Sequence, residues 1–154
     1  YDYKDLGDGR TYLKAGSTET WWLNGKYHRE DGPAVEEGDG TKQWYLNGVR
    51  HREDGPATER SDGTIEWYLN GERHREDGPA YEYSDGVKVW FLNGERHRAD
   101  GPAVEDPTVD RAGRSYEQWY LNGRKFGRGQ RAPPEWIEAG GKVALREVFK
   151  KYLK

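Results

Sequence analysis

The sequence predicts a mainly β protein, a single-layer array of antiparallel β-hairpins that ends in a short α-helix. The first observation is an internal repeat, because the 14-residue stretch from Trp44 to Ala57 occurs four times almost unaltered and a fifth time in decayed form. Its Asn-Gly pair recurs at 24–25, 47–48, 70–71, 93–94 and 122–123, at intervals of 23, 23, 23 and 29 residues. The second observation is that every repeat unit contains two turn motifs. A fixed period of this size is typical of repeat architectures in which each unit is one supersecondary element.

The two turn motifs predict two strands per repeat unit. Asn-Gly follows a Trp-aromatic-Leu run, and these two residues tolerate the positive φ angles that a type I′ hairpin turn requires. The other motif is Gly38-Asp39-Gly40 and its equivalents, which suits a longer loop with the second Gly in the left-handed region. One predicted strand runs through residues such as 64–69. The return strand is predicted to kink at Asp77-Gly78-Pro79, because proline lacks the amide donor that a regular ladder needs.

The array is predicted to occupy residues 1–132, with a helical cap at 133–154. Residues 1–15 alternate apolar and polar side chains around Gly7-Asp8-Gly9, which indicates a degenerate opening hairpin. Further units begin near residues 16, 39, 62, 85 and 114, and we interpret the polar stretch 106–115 as an inserted loop. In the cap, apolar residues at helical spacing predict a helix over 142–153 that covers the open end of the sheet.

Composition indicates a folded chain with an aromatic core. Trp and Tyr supply 18 of the 154 residues, and the net charge is only −3. There is no Cys, which excludes disulfides and thiolate metal sites, and no apolar run reaches the roughly 20 residues of a membrane span. The charge is uneven: residues 1–123 carry a net −9 and residues 124–154 a net +6. We interpret this asymmetry first as a merely soluble surface; an anionic partner or a head-to-tail contact is the alternative.

Side chains alternate across a strand, which assigns the aromatic residues to two rows. The Trp/Leu row consists of the first Trp of each unit and the Leu two residues later. The Tyr row, on the other face, consists of Trp22, Tyr45, Tyr68, Phe91 and Tyr120. The Trp/Leu row is more apolar, so we assign it to the packed side. We predict that the Tyr row is the partner-binding strip, because interfaces favour large aromatic residues; mutual packing across strands is the alternative.

A histidine recurs in each unit with an aspartate three residues later. The pairs are His28 with Asp31, His51 with Asp54, His74 with Asp77, and His97 with Asp100. His and Asp could indicate metal binding or acid–base catalysis. However, an active site is a single constellation, and histidines about 10 Å apart cannot share one metal at bond lengths of about 2 Å. We therefore predict a structural role, in which each His bonds the Asp or the turn backbone.

An arginine follows each of these histidines. The four residues are Arg29, Arg52, Arg75 and Arg98, and the strand geometry allows them to face Glu36, Glu59, Glu82 and Glu105 in an ion-pair ladder. A row of Arg could instead bind phosphates. The excess of acidic residues in the same units argues against nucleic acid.

The motif Trp-x-Leu-Asn-Gly-x-x-His-Arg-x-Asp-Gly-Pro-Ala, its period and its Asn-Gly turn resemble MORN repeats over about residues 16–127. The variant looks like MORN-like arrays of bacteriophage and bacterial proteins, some of which are labelled antitoxins or immunity proteins. The resemblance implies a binding scaffold without cofactor and without enzymatic activity, in the cytoplasm of a bacterial host if phage-encoded. Here Arg-Glu-Asp-Gly-Pro replaces the family's Gly-x-Gly after the His, so lipid-binding roles do not transfer. The expected function is a non-enzymatic protein-interaction scaffold, and its specific form would be a phage-encoded or immunity-type inhibitor of another protein. The alternatives are a self-associating assembly protein and a His/Asp-dependent enzyme.

Overall fold

The structure is a computed structural model that describes residues 1–125. The predicted cap at 133–154, with its helix, lies outside the described residues. Within residues 1–125 every regular element is a β-strand, which confirms the mainly β hairpin prediction. The chain divides into two compact halves, Tyr1–Arg73 and His74–Lys154, which are described one after the other.

The N-terminal half begins with a long hairpin and continues with short strands. The twelve strands are β1 (Asp2–Gly7), β2 (Arg10–Ala15), β3 (Thr18–Leu23), β4 (Lys26–Tyr27), β5 (Val35–Glu36), β6 (Lys42–Gln43), β7 (Tyr45–Leu46), β8 (Val49–Arg50), β9 (Thr58–Glu59), β10 (Ile65–Glu66), β11 (Tyr68–Leu69) and β12 (Glu72–Arg73). The opening hairpin β1–β2 confirms the prediction made from the Gly7-Asp8-Gly9 turn.

These strands form one meandering sheet and two separate hairpins. The sheet runs β1-β2-β3-β5-β6-β9-β10, with β4 paired to β3, and all of these pairs are antiparallel. The hairpins β7–β8 and β11–β12 are each closed by an Asn-Gly turn. Each complete repeat unit therefore contributes two strands to the sheet and two to a hairpin that branches from it.

The predicted continuous strand over 64–69 is wrong, because the chain changes hydrogen-bonding partner at the Trp of each unit. Trp44 shows the reason: its amide donates to the Ala57 carbonyl at 2.7 Å, whereas its carbonyl accepts from the His51 amide at 3.2 Å. The first bond faces the next strand of the sheet, and the second closes the unit's own hairpin. The unit that begins near residue 39 thus has four two-residue strands, β6 to β9, instead of two long ones, whereas β3 in the preceding unit keeps six residues.

Both predicted turn types are present. Asn47 and Gly48 have φ angles of 51° and 80°, as a type I′ turn requires, and the other Asn-Gly pairs have the same geometry. In the second turn Gly40 has a φ of 95°, and its amide donates to the Glu37 carbonyl at 3.0 Å. The Asp39 side chain accepts from the Thr41 amide at 2.8 Å and closes the loop.

The C-terminal half repeats this arrangement in its described part. Its strands are β13 (Tyr81–Glu82), β14 (Lys88–Val89), β15 (Phe91–Leu92), β16 (Glu95–Arg96), β17 (Val104–Val109), β18 (Ser115–Gln118), β19 (Tyr120–Leu121) and β20 (Arg124–Lys125). The sheet order is β13-β14-β17-β18, and β15–β16 and β19–β20 are hairpins. The stretch 106–115 is not simply a loop, since β17 extends into it and pairs with β18 up to Val109 opposite Ser115.

Small and β-branched residues at the base of each unit form the core. The alanines of the Gly-Pro-Ala motif, Ala34, Ala57, Ala80 and Ala103, have no exposed surface. The residue after each alanine, such as Val35 or Thr58, begins a sheet strand and is also buried. Only a small side chain fits where the kinked return strand meets the sheet, which accounts for alanine in all four positions.

Candidate functional site

Arg29, Arg52 and Arg98 each hold an Asp-Gly-Pro turn against the Trp of the same repeat unit. The guanidinium carbon of Arg52 lies 4.0 Å from the ring centroid of Trp44. Arg29 and Arg98 stack in the same way, at 3.8 Å on Trp21 and 3.9 Å on Trp90. On its other side the guanidinium touches the turn backbone, since a Cβ built on Gly55 would lie 2.8 Å from that carbon. The glycine is therefore needed for close approach of the backbone to Arg52.

The same guanidinium satisfies the polar groups of the turn. Arg52 Nε donates to Asp54 Oδ1 at 3.1 Å, and Nη1 donates to the Pro56 carbonyl at 3.0 Å and to Glu59 Oε1 at 3.2 Å. The predicted ion pairs Arg29–Glu36, Arg52–Glu59 and Arg98–Glu105 are present at 3.4, 3.2 and 2.8 Å. In the C-terminal half, the hydrogen bond from Arg75 lowers the pKa of Asp77. The stacking on Trp was not predicted from the sequence.

Each histidine joins consecutive hairpins. His28 Nδ1 accepts a hydrogen bond from the Asn47 amide at 2.9 Å, and His51 Nδ1 accepts one from the Asn70 amide at 3.0 Å. The same bond joins His74 to Asn93 at 3.0 Å and His97 to Asn122 at 2.9 Å. The partner is therefore the amide of the next Asn-Gly turn, and the expected bond from His to the Asp three residues later is replaced by an Arg–Asp bond.

The acceptor role of Nδ1 requires a neutral imidazole. Protonation would place a hydrogen on Nδ1 opposite the Asn amide hydrogen, and the bond would be lost. Burial lowers the pKa of His97 below its ordinary value of 6.5, with the nearby Glu95 acting in the opposite direction. The histidine therefore links two consecutive turns, and at His97 burial itself favours the neutral form that the link needs.

Clefts open beside the Asp-Gly-Pro turns in both halves of the chain. In the N-terminal half, a cleft of about 760 Å³ has Trp44 and Leu46 at its base and His51 beside them. The turn at residues 29–33 forms one wall, and the turn at 52–54 forms the other. A cleft of about 630 Å³ precedes it, with Trp21 and Leu23 at the base. The C-terminal half contains an equivalent cleft of about 510 Å³ over Trp90 and Leu92.

At Trp44 and Leu46 this finding departs from the assignment of the Trp/Leu row to the packed side, whereas Leu121 of the same row has no exposed surface. Trp44 and Leu46 do share a face, as alternation predicts, but they line an open cleft and are only half-buried. The physical reason is that the Asp-Gly-Pro turns interrupt the return strands, so the residues 29–33 and 52–54 that flank this cleft belong to no strand. The indole face is covered by the unit's own arginine.

The walls of the clefts carry exposed carboxylates. The side chains of Glu30 and Asp31 are each 85% exposed, and those of Glu53 and Asp54 are 84% and 89% exposed. Glu30 and Glu53 make no close contact with an arginine; each lies 3.5–3.6 Å from the Nε2 of its own unit's histidine. An apolar base between acidic walls is complementary to a side chain with an aliphatic stem and a cationic end.

The Tyr row is packed along its length in the N-terminal half. Trp22 stacks on Tyr27 with centroids 4.2 Å apart, and Tyr27 lies 5.4 Å from Tyr45. Arg50 lies between Tyr45 and Tyr68, at 6.0 and 5.3 Å from their centroids. Within the C-terminal half Tyr120 is half-buried with Arg96 at 5.3 Å, and Phe91 is only 7% exposed. Phe91 therefore contributes packing and little accessible area.

A buried carboxylate beside the Tyr row was missed by sequence reasoning. The side chain of Glu66 is 1% exposed and accepts hydrogen bonds from Arg60 Nε at 3.1 Å and Nη2 at 3.0 Å. Arg50 Nη1 approaches it at 3.4 Å. The equivalent residue in the preceding unit is Gln43, which contacts Arg50 and Tyr45. Alternation places Glu66 on the face of Tyr68, which the sequence assigns to the partner side, so nothing in the sequence indicated its burial.

Among residues 1–125, no group of three or more His, Asp or Glu side chains is arranged to hold a metal ion. No helix in that part of the chain has the length and apolar character needed to cross a lipid bilayer. Comparison of the chain with protein-family models, with curated proteins and with solved structures found no match.

Proposed function

We propose that this protein is a non-enzymatic, MORN-like interaction scaffold whose clefts hold an extended basic segment of a protein partner. The observation that carries the proposal is the recurrence of a similar cleft in three repeat units, each with a Trp/Leu base and exposed carboxylates on its walls. A catalytic site occurs once in a chain, whereas a surface repeated at a fixed interval suits a ligand that is itself periodic.

The spacing of the clefts indicates the conformation of that ligand. Within the N-terminal half the two clefts are separated by two sheet strands, or about 10 Å at the usual strand spacing. A polyproline II segment has three residues per turn and rises about 3.1 Å per residue, so every third side chain recurs on one face after about 9 Å. A segment with Lys or Arg at every third position therefore matches successive clefts.

The hydrogen bonds of His and Asp favour a binding role over the enzyme alternative. Each histidine uses Nδ1 as an acceptor for a turn amide, and Asp31, Asp54, Asp77 and Asp100 each accept a hydrogen bond from the adjacent arginine. These groups are engaged in holding the walls of the clefts. The finer proposal of a phage-encoded or immunity-type inhibitor, acting in a bacterial cytoplasm, rests on the resemblance alone.

The experiment is a titration of the full chain with synthetic polyproline-rich peptides, followed by intrinsic Trp fluorescence. One peptide carries Lys at every third position, a second has the same composition with the lysines adjacent, and a third replaces Lys with Glu. We expect the spaced peptide to bind most tightly, with an affinity that falls as salt is raised, because the attraction is between exposed charges.

Variants that replace wall carboxylates with neutral amides locate the binding surface. Glu30→Gln with Glu53→Gln removes two wall charges that do not support the turns, and we expect it to weaken binding of the spaced peptide several-fold. Glu72→Gln with Glu95→Gln is the matched control, since these exposed residues do not line the described clefts. Equal binding of all three peptides, or equal effects of the two double variants, would overturn the proposal.

The Tyr row is the second candidate surface, because Trp22, Tyr45, Tyr68 and Tyr120 keep part of their surface exposed. Changing Tyr45 and Tyr68 together to Ser separates the two surfaces. If the clefts bind the partner, this variant retains peptide affinity provided that it folds. Loss of binding with retained fold would assign the partner to the Tyr row.

A further inference from the structure

The first strand of the sheet presents an exposed edge. β1 spans six residues, and all six are exposed. Tyr3 and Leu6 are 65% and 45% exposed, and the preceding Tyr1 is 99% exposed. Among residues 1–125, β1 pairs only with β2, so its second edge offers unpaired backbone donors and acceptors. Such an edge is a template for pairing with another strand.

The irregularity in β1 limits the part that can form a new ladder. Pairing with β2 is regular from Asp2 to Asp5 and shifts between Asp5 and Gly7. A bulge bends its strand and ends regular pairing. An added strand therefore aligns with residues 1–5, whose sequence is Tyr-Asp-Tyr-Lys-Asp.

Backbone geometry restricts how two copies of this edge can pair. In an antiparallel ladder, the N–H and C=O of one residue point to the same side and those of the next residue to the other. When two copies are related by a twofold axis, two residues that lie opposite each other must therefore both be odd-numbered or both be even-numbered. Of the three registers that pair at least three of residues 1–5, two place like charges opposite each other: Asp2 on Asp2, or Lys4 on Lys4.

The remaining register is complementary in charge. With Tyr3 opposite Tyr3, Asp2 of each copy lies opposite Lys4 of the other, and Tyr1 lies opposite Asp5. Opposite charges at directly opposed positions stabilise a pair of strands, and like charges destabilise it. Asp2 and Lys4 share one face of β1, and Lys4 Nζ lies 5.5 Å from the ring centroid of Tyr12 on the neighbouring strand. The other face carries Tyr1 and Tyr3: Tyr3 lies directly opposite Tyr3 of the second copy, and Tyr1 lies diagonally across from it.

We propose that β1 is a self-association edge, which pairs antiparallel with β1 of a second copy in the register centred on Tyr3. This surface is separate from the proposed partner contact, because residues 1–5 do not line the described clefts. One short strand per copy buries little area, so the dimer is weak and depends on concentration. The two copies retain free clefts and bind a multivalent partner with higher avidity than one copy.

Sedimentation velocity of the full chain over a concentration series tests the proposal. We expect a monomer–dimer equilibrium with dissociation in the micromolar to millimolar range, roughly the regime of weak, transient interfaces. Lys4→Asp and Asp2→Lys each place like charges opposite one another, and each is expected to weaken the dimer at least tenfold. The double variant with both changes again opposes unlike charges and is expected to restore it.

Controls distinguish the edge from a general charge effect. Arg111→Asp makes the same charge reversal at an exposed hairpin tip and is expected to leave the equilibrium unchanged. Circular dichroism of each variant establishes that it is folded. A wild-type chain that stays monomeric up to about 1 mM, a dimer unaffected by both single changes, or a double variant that fails to recover would overturn the proposal.

Discussion

Replacement of Arg52 by Ala is predicted to destabilise the repeat unit in which it lies. Its guanidinium stacks on Trp44, donates to the Pro56 carbonyl and pairs with Asp54 and Glu59. The hydrogen bond from a charged donor contributes about 1.5–3 kcal/mol. The cation–π contact contributes about 0.5–2 kcal/mol. The two ion pairs contribute about 0.2–1 kcal/mol each, because their carboxylates are exposed.

Allowing for overlap among these contacts, we expect Arg52→Ala to lower the free energy of unfolding by about 3 kcal/mol. Arg52→Lys should cost about half as much, because the ammonium keeps the charge but loses the planar fork and the stacking. The carboxylates left behind remain hydrated, so no buried charge adds to the cost. For a chain of this length, about 3 kcal/mol corresponds to a fall in melting temperature of roughly 6–12 °C.

Thermal and urea unfolding, followed by circular dichroism, measure this change. Arg114→Ala is the matched control, since Arg114 also pairs with a carboxylate, Asp110, at 3.0 Å but is 68% exposed and lacks an indole partner. We expect the control to change stability by less than about 0.5 kcal/mol. If Arg52→Ala and Arg114→Ala have equal effects, the arginine does not hold the turn and the reasoning is refuted.

Two further predictions concern the buried carboxylate and the histidines. Glu66→Ala removes the acceptor shared by Arg50 and Arg60 and should lower the free energy of unfolding by about 2–4 kcal/mol. Glu66→Gln should lower it less, because Gln occupies the equivalent position 43. Urea titrations that give the two variants equal stability would contradict this prediction. For His97 the folded-state pKa is lowered, so its contribution to stability is complete above pH 6.5 and is lost as pH falls through the folded-state pKa. His97→Asn keeps a hydrogen-bond acceptor but does not titrate below pH 6.5, so the stability of this variant should decline less as the pH falls. Parallel profiles of stability against pH for the variant and the wild type would show that protonation of His97 does not affect stability.

The repeat and its turns could be predicted from the sequence because local chemistry determines them. Asn-Gly requires positive φ wherever it forms a hairpin, and Asn47 and Gly48 adopt it. Alternation correctly placed Trp44 and Leu46 on one face. The Arg–Glu pairing also followed from spacing, as Arg52 and Glu59 show.

Features that depend on the path of the backbone could not be predicted in the same way. The change of hydrogen-bonding partner at Trp44 divides a β-forming run that looks continuous in sequence. The bond from His28 reaches 19 residues along the chain to Asn47, and only the stacking of hairpins reveals it. The cleft over Trp44 is flanked by turn residues that belong to no strand, and Glu66 is stable inside because Arg60, six residues earlier, returns to it.

The most direct test of the proposed function is NMR of the full chain with the peptide that carries Lys at every third position. The indole signals of Trp44 and Trp90 and the ring signals of Tyr45 and Tyr68 report on the two faces separately. If the clefts hold the peptide, the signals of Trp44 and Trp90, which lie at the base of clefts, shift on titration, and those of Tyr45 and Tyr68 do not. Shifts confined to Tyr45 and Tyr68, or no shift at any peptide concentration, would contradict the account.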